Sequence, residues 1–165
     1  MNANLGKRVY EGLNKQICEE LNSAYLYMAM SGVFKDMGLN GSARWIMLWA
    51  KGRRRDAMKI FEHIHKRGAK VKLQPITAPK QDWRAPLHIF EEVLRHEQRI
   101  TGMVNAIYEF TIAEKDYQSQ CFMTYFVNEQ VEREATASSL LDKLRKMQST
   151  DLGVLMFDSE LEKMV

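Results

Sequence analysis

All three prolines of this chain, Pro75, Pro79 and Pro86, fall in one short window near its middle. Proline lacks a backbone donor and clashes with the preceding helical turn, so this window cannot be continuous helix, while its flanks remain free to be. Helical periodicity fills both flanks. Leu13, Ile17, Leu21, Ala24 and Met28 recur at helical spacing, as do Trp45, Leu48, Trp49, Ile60 and Ile64. The pattern predicts two long helices before the window, over roughly 4–36 and 41–68, and two after it, over roughly 87–114 and 118–147. Gly38, Asn40 and Gly41 separate the first pair, with Ser42 as a candidate N-cap, and Gly68 suits the C′ position that closes the second helix. Ser149, Thr150 and Asp151 are cap candidates for a short fifth helix over 151–164.

The connection decides the topology. Residues 69–86, extended at about 3.3 Å each, reach roughly 55–60 Å. A helix of about 28 residues is only about 42 Å long. The linker can therefore run the full length of a bundle and join helices two and three in parallel. The short turns near 37–41 and 115–117 make antiparallel neighbours. The expected fold is all-α: one domain over 1–165, a four-helix bundle with one long crossover and a short C-terminal fifth helix.

Composition narrows the setting. At 165 residues the chain can bury roughly 70% of its unfolded surface. Hydrophobic content of 45% and charged content of 27% are those of a soluble globular protein. No apolar run approaches the ~20 residues of a membrane span. The N-terminal Met1–Gly6 segment has no hydrophobic core, so no secretory signal is expected. Cys18 and Cys121 show no metal-type spacing; we expect buried fillers in a reducing cytoplasm. Among the eleven methionines, Met28, Met30, Met37, Met47, Met58 and Met103 are expected to fill the core. His63, His65, His88 and His96 are expected at the surface or at helix ends. The net charge of +3 is mild and says little about partners by itself; without a basic tail a nucleic-acid partner is not expected, and without an apolar span neither is a membrane.

The helical pattern points Glu20, the pair Arg53 and Asp56, Glu97, and the pair Gln130 and Arg133 toward a common interior. Glu20-Leu21-Asn22-Ser23-Ala24-Tyr25-Leu26-Tyr27, Ala57-Met58-Lys59-Ile60-Phe61, His96-Glu97-Gln98 and Phe126-Val127-Asn128-Glu129-Gln130-Val131-Glu132-Arg133-Glu134 resemble, in order, helices A to D of bacterial and archaeal non-haem ferritins. The resemblance covers essentially the whole chain. It implies a ferritin-like fold, iron as cofactor and cargo, and a di-iron ferroxidase centre. Glu20 and Glu97 would be iron ligands, and Tyr27 the tyrosine beside the centre. It also implies a homo-oligomeric cage of twenty-four copies.

The departures fall on the ligands. Where the family has Glu-Glu-x-x-His, this chain has Gly52-Arg53-Arg54-Arg55-Asp56, and Arg133 replaces a further glutamate. Arginine has no acceptor lone pair and keeps its proton, so it cannot ligate a metal. Glu20, Asp56 and Glu97 carry −3 and Arg53 and Arg133 carry +2, which leaves −1 where the family pattern carries −4. Two Fe²⁺ beside two guanidiniums would repel by several kcal/mol at an effective dielectric near 20. We therefore expect salt bridges in place of the centre: Arg53 with Asp56 and Glu20, and Arg133 with Glu97. Vertebrate ferritin light chains offer a family analogy. A residual weak metal site drawing on Glu20, Asp56, Glu97, Glu129 and Glu132 stays open.

The positions matching the family's inner cage surface, Leu48, Lys51, Arg55 and Met58, include no carboxylate. Lys51, Arg54 and Arg55 are either a solvated face or an anion-binding one. The function these features imply is a ferritin-type storage subunit with a lost or strongly impaired ferroxidase centre, its iron oxidised either by a co-assembled, catalytically active subunit or by slow autoxidation inside the shell. The alternatives are a remodelled ferroxidase using Glu129 and Glu132, and a non-mineralising shell for anionic cargo.

Overall fold

The computed structural model describes residues 5–165. Five helices follow in order: α1 (Lys7–Asp36), α2 (Asn40–Lys66), α3 (Pro86–Ala113), α4 (Tyr117–Met147) and α5 (Asp151–Lys163). The four-helix bundle, its single long crossover and the short fifth helix are as expected, and the described residues contain no strand. No helix among them is long and apolar enough to cross a membrane. The expected first-helix start at residue 4 lies outside the described residues; α1 begins at Lys7, after an extended Gly6. Pro86 is the first residue of α3, where its missing N–H would have no intrahelical partner anyway.

α1 packs on α2 and α3, α3 packs on α4, and α5 folds back onto α2 and α4. The core has two parts. Phe34, Trp45, Ile46, Phe90, Leu144 and Phe157 belong to the part that includes α5. Leu13, Ile17, Ile60, Ile64, Val104 and Phe126 belong to the other. On each long helix the buried apolar run is interrupted by polar residues: Glu20 on α1, Arg53 and Asp56 on α2, Glu97 on α3, Gln130 on α4. These interruptions meet between the two apolar parts, and that is where the candidate site lies.

The crossover is held along α1 by side chains spaced four residues apart. Tyr10 donates to the Lys70 carbonyl at 2.7 Å, and Asn14 Oδ1 accepts from Lys72 N at 2.6 Å. Cys18 donates to the Pro75 carbonyl at 3.3 Å, and Asn22 Oδ1 accepts from Thr77 N at 2.9 Å. This i, i+4 ladder uses one helix face to pair backbone groups of a segment that has no secondary structure of its own.

Several local expectations change. Ser42 does not cap α2, because the helix starts earlier, at Asn40, with Leu39 preceding it. The capping oxygens come instead from Asp158 on α5, which accepts from Gly41 N (3.0 Å), Ser42 N (2.7 Å) and Ser42 Oγ (2.7 Å). Gly41 is required here, since a Cβ would lie 2.0 Å from the Asp158 carbonyl oxygen. Gly68 does close α2, in the left-handed region at φ 76°. Thr150 is the cap of α5, accepting from Gly153 N at 3.0 Å. Cys18 is buried but Cys121 is exposed, so only one of the two fills the core. Met28 and Met58 are each 48% exposed and are not core residues, because their positions lie on the outer flank of the apolar stripe.

Replacing Asp158 with Ala should destabilise the protein by about 2 kcal/mol, since two buried N–H groups at the α2 terminus lose their acceptor. Urea unfolding measures this, and an unchanged midpoint would refute the capping role.

Candidate functional site

Arg53 is the centre of the site. It is 1% exposed and extends from α2 into the middle of the bundle. Its Nη1 donates to Glu20 Oε2 at 3.0 Å and to Gln130 Oε1 at 3.1 Å, and its Nη2 pairs with Glu97 Oε2. One guanidinium thus binds α1, α3 and α4 at once. Tyr27 donates its hydroxyl to the other Glu97 oxygen. Gln130 Nε2 adds bonds to Glu97 Oε2 and to Thr101 Oγ1, each at 3.1 Å. Gln16 Nε2 donates to Glu20 Oε1 at 2.8 Å.

The second arginine serves the second acid of α2. Arg133 Nη2 donates to Asp56 Oδ2 at 2.6 Å, and Tyr125 donates to Asp56 Oδ1 at 3.1 Å. Two of the expected pairings are therefore corrected. Arg53 does not turn along its own helix to Asp56, because its guanidinium reaches across the interior to Glu20 and Glu97. Arg133 does not reach Glu97, because Arg53 and Gln130 already occupy that carboxylate's free side. The expected Arg53–Glu20 bridge is present.

The electrostatics follow the pairing. Burial pushes the Glu97 carboxyl up, but the Arg53 charge, with bonds from Arg53 and Tyr27, outweighs burial and holds it below its ordinary value. Glu20 is raised, because burial exceeds what Arg53 and Gln16 give back. Tyr27 is raised well above its ordinary value by burial and by Glu97, so it keeps the proton it donates. Burial opposes the charge on Arg53, yet Glu20 and Glu97 hold its pKa above the ordinary arginine value.

The candidate weak ligands do not gather. Arg53 lies between Glu20 and Glu97, and Asp56 is paired with Arg133. Glu129 and Glu132 line a separate cleft of about 340 Å³ between α2 and α4, with Gly52, Arg55 and Arg133. Glu129 lies 3.7 Å from Arg133 and its side chain is 40% exposed. Among the described residues, no group of three or more His, Cys, Asp or Glu side chains is placed to hold a metal ion.

Sequence reasoning missed four contributors. Gln16 lies four residues before Glu20, and Thr101 four after Glu97, so helical spacing could have found both. Tyr125 and His96 carried no such signal. His96 is not a surface residue: its Nε2 is 2.7 Å from Ser23 Oγ and its ring meets Tyr27 edge-on at 5.6 Å. Burial lowers its pKa to about 4, so it is neutral at pH 7 and adds no charge to the cluster. His63 is also packed, stacked on Phe122 at 4.0 Å, whereas His65 and His88 are exposed as expected.

A four-helix bundle with one end-to-end crossover and facing acids at mid-height defines the class of carboxylate-lined bundles to which ferritins belong. The family model for the ferritin-like domain matches residues 10–147. A bacterial non-heme ferritin of Bacteroides fragilis is 34% identical over 157 residues, which is 95% of this chain and 98% of that protein. One from Campylobacter jejuni is 30% identical over 158 residues, covering 96% and 95%. The open pore ferritin of the hyperthermophilic archaeon Archaeoglobus fulgidus superposes with a TM-score of 0.94 at 36% identity, covering 97% and 98%. The chain belongs to the ferritin family.

Proposed function

We propose that this chain is an iron-storage subunit of a cytoplasmic, twenty-four-copy ferritin cage whose di-iron ferroxidase centre has been replaced by an internal salt-bridge network. One observation carries the proposal: the Arg53 guanidinium lies between Glu20 and Glu97, the two carboxylates that would face a metal pair. Fe²⁺, the substrate of a ferroxidase, would have to displace a buried cation that cannot deprotonate. Arg53 offsets one of these two carboxylate charges and Arg133 offsets Asp56, so the cluster keeps only −1 and little electrostatic drive remains for two divalent ions. In this reading iron is oxidised by a co-assembled subunit that keeps its centre, or slowly by oxygen in the enclosed volume, and this chain supplies shell.

Anaerobic titration of metal-free protein with Fe²⁺, then exposure to oxygen, tests this. We expect no stoichiometric binding and an initial oxidation rate equal to that of protein-free buffer. About two irons bound and rapidly oxidised per subunit would overturn the proposal.

A further inference from the structure

The exposed side of α2 carries a second charged feature outside the Arg53 network. A groove of about 970 Å³ runs along this helix, lined by Lys51, Arg54, Arg55, Lys59 and Lys66 against a single carboxylate, Glu62. Lys51 to Lys66 extends about 22 Å at 1.5 Å per residue. Five cations and one acid give the groove +4, more than the +3 of the whole chain, so the rest of the molecule is slightly acidic by comparison. Lys59 is partly engaged, 3.5 Å from the Tyr125 ring centroid and 4.0 Å from Asp56. Lys51, Arg54, Arg55 and Lys66 form no ion pair among the described residues.

The walls matter as much as the charges. Leu48 and Met58, 41% and 48% exposed, form apolar lining between the cations. A groove of one charge sign with low-dielectric walls concentrates its field and draws counter-ions. Guanidiniums at adjacent positions 54 and 55 present planar donor forks suited to the oxygens of a phosphate group. A single-sign row of unpaired cations is costly to keep on one helix face, since like charges at i, i+3 and i, i+4 repel. A bound polyanion removes that repulsion.

We propose that this groove binds phosphate groups, either as free orthophosphate or as a polyphosphate chain lying along α2. Placing the face toward a cage interior rests on the proposed function; the affinity itself does not.

The test uses iron-free protein and equilibrium dialysis against orthophosphate and against polyphosphate of defined length. Lys51→Gln, Arg54→Gln and Arg55→Gln combined should weaken binding by more than about tenfold, and raising salt from 50 to 200 mM should weaken the parent by a comparable factor. Exposed Lys35→Gln, Arg84→Gln and Lys146→Gln combined make the same net-charge change elsewhere and should leave affinity within about threefold. Thermal melting verifies that both variants fold. Affinity that rises with chain length assigns the polyphosphate form; equal affinity per phosphate assigns the free anion. Equal losses in both variants, no binding of either probe, or tighter binding of single-stranded DNA than of polyphosphate would overturn the inference. Because iron is absent, failure here leaves the proposed loss of the ferroxidase centre untouched. Stoichiometric iron oxidation would sink that proposal without altering phosphate affinity.

Discussion

Arg53→Leu should unfold more readily than the parent by about 3–5 kcal/mol, the expected cost of removing one partner from a buried ion pair. The loss comes less from the missing attraction than from what is left behind. Glu20 and Glu97 are both fully buried, and without the guanidinium each would be an uncompensated carboxylate in a low-dielectric interior. Gln130 Oε1 would also lose the shorter of its two donors, keeping only Arg133 Nη1 at 3.4 Å. The pH dependence gives the mechanism a signature. In the parent, Glu97 is held below its ordinary value of 4.5, so its contribution is present at neutral pH and is lost as pH falls through its folded pKa. In the variant, burial without a counter-charge raises both carboxyls, so the penalty grows as pH rises above the ordinary carboxylate range. Denaturant unfolding of both proteins at pH 5 and pH 8 should show the larger gap at pH 8. A gap that is small, or that does not change with pH, would show that Arg53 is not the counter-ion of the cluster.

Combining Arg53→Glu, Asp56→His and Arg133→Glu should create tight Fe²⁺ binding at the centre of the bundle. The substitutions move the formal charge of the cluster from −1 to −4, which two divalent ions balance. Removing two guanidiniums a few ångströms from the metal positions relieves several kcal/mol of repulsion at an effective dielectric near 20. At 1.4 kcal/mol per factor of ten, the affinity gain should be on the order of 10²–10³-fold or more. Apo protein of this variant should be less stable than the parent, because its acids are uncompensated, and added Fe²⁺ should restore the loss by mass action. Anaerobic titration and unfolding with and without metal read both effects. A folded variant that still binds no iron would show that some feature other than the two arginines disables the site.

Much of this was legible in the chain itself. Three prolines in one window and unbroken helical periodicity on either side lead directly to a bundle with one long crossover, because proline and helix spacing act through local backbone geometry. Gly68 and Thr150 were legible as helix-end residues for the same reason. Asp158 was not. It caps α2 from more than a hundred residues away, and nothing in the local sequence around Ser42 marks that contact. The Tyr10, Asn14, Cys18 and Asn22 ladder shows a period of four, but those residues look like an ordinary polar edge until the crossover lies on them.

The sequence by itself determined that Arg53 and Arg133 lie on the inward faces of their helices beside Glu20, Asp56 and Glu97, and therefore the charge available to the interior, since residue identity and helical spacing set both. Only the tertiary structure decided which acid each arginine meets. Helical spacing places a side chain on a face to within tens of degrees, whereas a guanidinium chooses its partner by differences of an ångström between helices. At that resolution Arg53 turned across the bundle to Glu20 and Glu97, and Asp56 was left to Arg133.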